Sequence, residues 1–260
     1  MPRIAVLCGT GMSDLAGLIS QGKPKIEDVT IETNWGNVPM LVSKSSDGEV
    51  FIIDRHHSEE NGRTPPHQID HRANVHAASS ANPDLIISIN SVGSINQNFP
   101  PGLIGLGRDV IDLAIRPWTF FNNDAIHSDR TTIFWKEAQD CCDKVLSSIQ
   151  GVPTSKLIVA QCIGPQFETP SEIDALEKLG ADVVGMTLGP ESRLVSETGF
   201  RHISLCCSSN WASGRDPVDP EALVSHSDVE SYASSISKNI AACIISLLSC
   251  LPSLDLGPEG

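Results

Sequence analysis

The sequence predicts an α/β fold, a single domain built on a central mixed sheet covered by helices. Short β-branched apolar runs recur along the chain, each closed by Gly, Asn or Pro, and helical stretches lie between several of them. The 260 residues, 40% of them hydrophobic, also show no repeat at a fixed period and no Gly-, Pro- and Ser-rich linker. One domain is therefore expected over 1–251. A loose tail is expected over 252–260, because "PSLDLGPEG" has no periodicity.

The strand runs, in order, are "IAVL" at 4, "VFIID" at 50, "LIISIN" at 85, "DVIDLAI" at 109, "LIVAQC" at 157, "DVVGM" at 182 and "HISLCC" at 202. Most have the length and continuous apolar character of strands buried on both faces. Helical patterns cover 70–81, 134–149, 171–179, 190–198 and a long stretch over 221–250. The start of the 171–179 helix is marked most clearly. Thr169, Pro170 and Glu172 supply a capping box with proline at the first helical position.

Charge and cysteine usage narrow the function classes. A formal net charge of −14, from 18 Lys and Arg against 32 Asp and Glu, argues against a nucleic-acid partner. A small anionic ligand stays compatible with a few converging basic residues. The eight cysteines include two adjacent pairs and no CxxC spacing, so they are expected to be reduced core thiols. The apolar start "MPRIAVLCGTG" is too short for a signal peptide, and "IAACIISLLSCL" at 240 is too short to span a bilayer. A cytoplasmic protein without a membrane partner is expected.

In sheets of this kind ligands collect where strands end. "CGTGMSD" follows the first strand, and its small residues let backbone amides approach an anion, with the Thr10 hydroxyl beside them. The stretch "DRHHSEENGRTPPHQIDHRANVHA" then concentrates Arg55, His56, His57, Arg63, His67, His71, Arg72 and His76 in an otherwise acidic chain. Its spacing lacks an HxxxH pair on one clear helix with a third carboxylate or Cys ligand, as a zinc site would need, so it reads as an anion site or a solvated loop, and no metal is expected. "SINSVGSI" ends a strand in Asn90 and Ser91, and "GMTLGPE" places Thr187 at a strand end before a helix that Pro190 and Glu191 open. "CSSNWASGRDP" ends another strand in Asn210. Singly these are ordinary turns; together they predict a phosphate pocket.

The combination resembles the trimeric purine nucleoside phosphorylase and methylthioadenosine phosphorylase family. The resemblance is carried in family order by "GTG" at 9, "RHH" at 55, "PPHQIDHRANVHA" at 65, "NSVGSI" at 90, "TFF" at 119, "GPQFETPSEI" at 164, "GADVVGMT" at 180, "PESRLVSE" at 190 and "SNWASG" at 209. It implies a partly barrel-like sheet and a homotrimer in which Phe120 or His127 reaches a neighbour's pocket. It also implies phosphorolysis of a purine nucleoside, with inorganic phosphate as co-substrate and no cofactor. By the same resemblance Thr10, Arg55, His56 or His57, Ser91 and Thr187 hold phosphate. Asn90, Phe167, Glu168, Met186, Asn210, Ala212, Val224 and His226 line the nucleoside, and Asn210, His57 and Glu168 are the catalytic candidates.

Glu168 and Asn210 suit a 6-oxopurine. A carboxylate accepts the ring N–H beside the carbonyl, where adenine presents an acceptor. Asn210 can donate to the exocyclic oxygen and accept the imidazole N–H of the departing base. His226 matches the histidine placed near a 5′-hydroxyl, while Val224 suits a methylthio group. Phosphorylases of 5′-methylthioinosine or 5′-methylthioadenosine are thus the alternatives within the class, and a non-catalytic nucleoside-binding homologue is the alternative outside it.

Overall fold

The first strand, β1 (Arg3–Cys8), shows how the core is built. Alternate residues point to opposite faces of a strand. Ile4, Val6 and Cys8 accordingly enter one apolar cluster and Ala5 and Leu7 enter another. The same division recurs in β4 (Glu49–Asp54) and β5 (Leu85–Ser94), so this part of the sheet is covered on both sides.

The computed structural model describes residues 1–254 apart from 10, 11, 13, 20–24, 59–61, 114–115 and 225–232. Besides the strands above it contains β2 (Lys25–Thr33), β3 (Gly36–Lys44), β6 (Ile104–Asp112), β7 (Lys156–Gln161), β8 (Val183–Gly185) and β9 (His202–Trp211). The helices are α1 (Leu15–Ile19), α2 (His71–Ser80), α3 (Lys136–Gln150), α4 (Pro170–Lys178), α5 (Leu188–Thr198) and α6 (Ala233–Cys250). On one face lie α1, α3 and α6, through side chains such as Leu15, Cys142, Leu146, Ile240 and Leu247. On the other lie α2 and α5, through Ala73, Ala77, Leu194 and Val195.

Strand order is β2-β3-β4-β1-β5-β8-β7-β6-β9, and a further pairing of β5 with β9 closes the last five strands into a barrel. The sheet is mixed: β1 runs parallel to β4 and β5, and β5 runs parallel to β9. The β2–β3 hairpin, the β3–β4 pair, β5–β8 and β6–β9 are antiparallel. The carboxyl ends of β1, β4, β5 and β9 therefore emerge on the same side.

Several expectations are corrected. The β2–β3 hairpin and the short α1 had no counterpart in the sequence reading; β2 is interrupted by Glu27 and Asp28, and β3 turns Val38, Met40 and Val42 to one apolar cluster. The strand expected at 109–115 begins earlier, at Ile104, and α5 begins at Leu188, two residues before Pro190. Residues 221–224 are not helical, and 225–232 lie outside the described residues. The apolar stretch near 240 extends into an 18-residue window, Ile236–Ser253, long enough by length and composition to cross a membrane. Ile240, Ile244 and Leu247 of that window are fully buried in the core.

Not all cysteines are reduced. Cys141 on α3 and Cys250 at the end of α6 form a disulfide, with Cα atoms 6.8 Å apart. The helices pack side by side, a proximity across 109 residues of sequence that no local spacing records. The other six thiols are free. At the C-terminus a 3₁₀ turn, Leu251–Ser253, follows α6, and Leu254 packs against the core.

Candidate active site

A cavity of about 350 Å³ opens where these strand ends meet the β7–α4 loop and the start of α5. Gly9 ends β1 there. A Cβ at this position would stand 2.9 Å from Arg55 Nη1 and 3.4 Å from His56 Nε2, so only glycine lets the backbone pass.

Arg55 follows β4 and is 3% exposed. Its Nε donates to Glu191 Oε1 at 2.6 Å and its Nη2 to Glu191 Oε2 at 3.2 Å. Nη2 also donates to the Leu7 carbonyl at 2.7 Å, and Nη1 to the Ile89 carbonyl at 2.8 Å. A guanidinium carries five N–H donors. Among the described residues one Nη1–H is left, on the side of Gly9. The guanidinium is thus fixed by the ends of β1 and β5 and neutralised by a fully buried carboxylate.

The two histidines after Arg55 part company. His56 lines the cavity, and its Nδ1 lies 2.8 Å from the Thr64 carbonyl, which makes Nδ1 the donor and turns Nε2 toward Gly9. Burial first, and then Arg55 and Arg63, hold the His56 pKa below its ordinary value, against the opposing effects of Thr64 and Asp54. His57, expected as a phosphate ligand and catalytic residue, faces away: its Nε2 bonds Asn74 Oδ1 at 2.9 Å. The Asn74 amide in turn donates to the Arg55 carbonyl, so His57 braces the loop from behind.

Ser91 lies on the cavity wall, and Thr187, 8% exposed, closes it at the start of α5. Asn90, expected to touch nucleoside, is not in the wall; it is buried and donates to Thr187 Oγ1 at 2.8 Å. Thr10 and His226 lie outside the described residues.

The same cavity is also lined by Phe167, Glu168, Met186, Asn210, Ala212 and Val224, all expected there. The capping box of α4 is present in full, with Thr169 and Glu172 each bonding the other's backbone. It fixes the loop just before it. The loop enters through a cis Gly164–Pro165 bond, and Gly164 has φ +69 with Met186 packed where a Cβ would stand. Burial pushes the Glu168 carboxyl pKa up, partly offset by hydrogen bonds that include the Cys162 thiol. Asn210 Oδ1 accepts from Ser209 Oγ at 2.8 Å and its Nδ2 donates to the Trp211 carbonyl at 2.8 Å. One lone pair and one N–H remain for a ligand.

The arrangement is one cavity that brings hydrogen-bond donors together with an aromatic ring, a carboxylate and an amide. A family model described as the phosphorylase superfamily matches residues 3–249. The chain belongs to the phosphorylase superfamily. This phosphorylase is 30% identical over 261 residues to a probable 6-oxopurine nucleoside phosphorylase of Thermococcus kodakarensis, covering 97% of this chain and 94% of the relative. It is 34% identical over 218 residues to a probable S-methyl-5′-thioinosine phosphorylase of Methanopyrus kandleri, covering 83% and 81%. A solved methylthioadenosine phosphorylase of Schistosoma mansoni shares the fold, with a TM-score of 0.83 at 18% identity over 98% of this chain and 93% of that one. The chain is an enzyme of purine nucleoside phosphorylase type.

One partner in the phosphorylase site escaped the sequence reading. Glu191 was read as a helix-opening residue, yet it is the buried partner of Arg55. The available signal was an acidic residue on the apolar face that Leu188 and Val195 mark on α5. Arg63, which also lines the cavity, is held by a bidentate pair to Asp54 at 2.8 and 3.0 Å. Phe120 packs within its own chain, 5.3 Å from the Trp35 ring.

Proposed function

We propose that the enzyme cleaves 6-oxopurine nucleosides with inorganic phosphate, releasing hypoxanthine or guanine and a pentose 1-phosphate. The observation that carries this reading is that Glu168 and Asn210 line the same cavity as Arg55 and Thr187. An ionised Glu168 accepts the N–H of a 6-oxopurine, whereas adenine would set a lone pair against it. The uncommitted N–H and lone pair of Asn210 match the exocyclic oxygen and the imidazole N–H of the departing base.

A phosphate oxygen attacks the anomeric carbon as the bond to the base nitrogen breaks, and the bonding pair leaves with the base. Donors around the phosphate place its charge beneath the developing oxocarbenium ion. Asn210 stabilises the negative charge gathering on the purine. Side chains and phosphate supply every group this scheme uses, so it needs no cofactor. The resemblance to trimeric phosphorylases supports a homotrimer, and the superfamily's soluble enzymes support a cytoplasmic setting.

A second substrate, 5′-methylthioinosine, is favoured by Val224 and Met186 on the wall and by the similarity to a probable S-methyl-5′-thioinosine phosphorylase of Methanopyrus kandleri. The test is base release from inosine and from 5′-methylthioinosine, each with and without phosphate. Phosphate-dependent release is expected, strongly reduced in Asn210→Ala and less so in Asn210→Asp. Undiminished rates in both variants would overturn the assignment of Asn210, and preference for the methylthio substrate would move the reading to that class.

A further inference from the structure

Thr187 is the N-cap of α5, a position where a hydroxyl ordinarily accepts from the backbone N–H two or three residues on. Both of those donors are diverted here. The Gly189 N–H goes to Gln161 Oε1 at 2.8 Å, and the next residue, Pro190, has no N–H. The Thr187 hydroxyl makes no capping bond and accepts from Asn90 Nδ2 instead.

Asn90 is 1% exposed, and its own Oδ1 accepts from Ser204 Oγ at 3.1 Å. Ser204 is fully buried, with Cys206 Sγ 3.6 Å from its hydroxyl. Burial pushes the Cys206 thiol up to about 12, so it stays protonated and can donate to Ser204. Each hydroxyl has one proton. With the Thr187 oxygen already engaged by an incoming N–H, its proton is turned toward the cavity that its side chain lines. The reversed amide would draw that proton inward and present lone pairs to any anion.

We infer that Asn90 is a positioning residue whose amide, oriented by Ser204, fixes the Thr187 hydroxyl as a donor to the phosphate oxyanion. The inference rests on the reading of this end of the cavity as the phosphate seat, and it replaces the expected contact of Asn90 with nucleoside.

Asn90→Asp is the sharpest test, because an ionised carboxylate would accept the Thr187 proton and reverse its direction. At about pH 8 the KM for phosphate should rise about tenfold or more while the KM for inosine stays within about twofold. Relative to wild type, the defect should shrink as pH falls toward about 5.5, since a buried carboxyl is readily protonated and regains an O–H that can donate. A merely structural defect would not titrate.

A neutral cycle removes the contribution of charge: Asn90→Leu should raise the phosphate KM in the wild-type background and leave it unchanged in Thr187→Val. Should the Asn90 variants fail to fold, Ser204→Ala, which frees the amide to reverse, should raise the phosphate KM by itself. A higher inosine KM with normal phosphate KM, or additive effects in the cycle, would overturn the inference. Phosphate binding is followed by calorimetry beside turnover. Wild-type protein that binds phosphate without cleaving nucleoside would overturn the functional reading while leaving the cycle readable, and wild-type protein that binds no phosphate would overturn both.

Discussion

The two ends of the cavity are built differently. At the anion end Arg55, Asn90, Thr187 and Glu191 are all buried and hold one another through bonds of 2.6–3.2 Å that link β4, β5 and α5. At the base end Phe167 is 40% exposed and Glu168 half-buried, both on a loop fixed mainly by the cap of the helix that follows. On the proposed reading, the phosphate common to every turnover is met by the buried interior, and the choice of nucleoside is left to more exposed side chains.

The largest effect that would sharpen this contrast is expected from Arg55→Met. It removes the cationic donor and leaves the Glu191 carboxylate buried without its partner, a loss of about 3–5 kcal/mol for a broken buried pair. Phosphate use should disappear and the thermal midpoint should fall. Adding Glu191→Gln should restore much of the stability and none of the phosphate use. Near-wild-type melting of the single variant would mean that the pair is not structural.

A smaller effect is expected at His56. Its neutral ring gives the Nδ1 proton to Thr64 and presents a lone pair toward the anion, so a bound dianion favours uptake of a second proton on Nε2. Its folded pKa is depressed by burial and by Arg55 and Arg63, while Asp54 opposes them. The bound state therefore carries more protons than the free state, and affinity should fall as pH rises. Sulfate is a suitable probe because its own charge is constant in this range. Its affinity should weaken by up to about tenfold per pH unit between the depressed free-state pKa and the higher bound-state pKa and level off above the latter, and His56→Gln should flatten the profile. A flat profile in the unmodified protein would place His56 outside the anion site.

The smallest effect should come from the other end. Phe167→Ala should raise the nucleoside KM severalfold, leave the phosphate KM unchanged and barely move the melting temperature, because the ring is already substantially exposed. A marked loss of stability would show that this loop shares the rigidity of the anion end.

What could be read from the sequence follows the same division. Strands buried on both faces, such as β1 and β5, announce themselves as continuous apolar runs, and the capping box locates the base-end loop to the residue. The hairpin β2–β3 was missed because one-sided burial produces a weaker alternating pattern. Arg55, Ser91, Thr187 and Asn210 were legible through residue type at strand ends, and Glu168 through the resemblance alone. The partners that set their behaviour were not: Glu191 lies 136 residues from Arg55, and Thr187 lies 97 from Asn90. Only the fold brings these pairs together, and the same holds for the disulfide between α3 and α6. The choice between His56 and His57 turned on which ring the loop directs inward, and adjacent histidines give no signal of that.

The closing of five strands into a barrel also bears on how the protein avoids edge-to-edge strand pairing. Closure uses up both sides of β5 through β9, so among the described residues the sheet has one unpaired margin, the outer side of β2. A free margin is a template for intermolecular strand addition, and charged side chains along it discourage that. Glu27, Asp28 and Glu32 lie on β2, in a chain already strongly acidic. The least apolar strand thus stands at the one margin that, among the described residues, is open to strand pairing, while the strands richest in Ile and Val are sealed within the closed part or beneath helices.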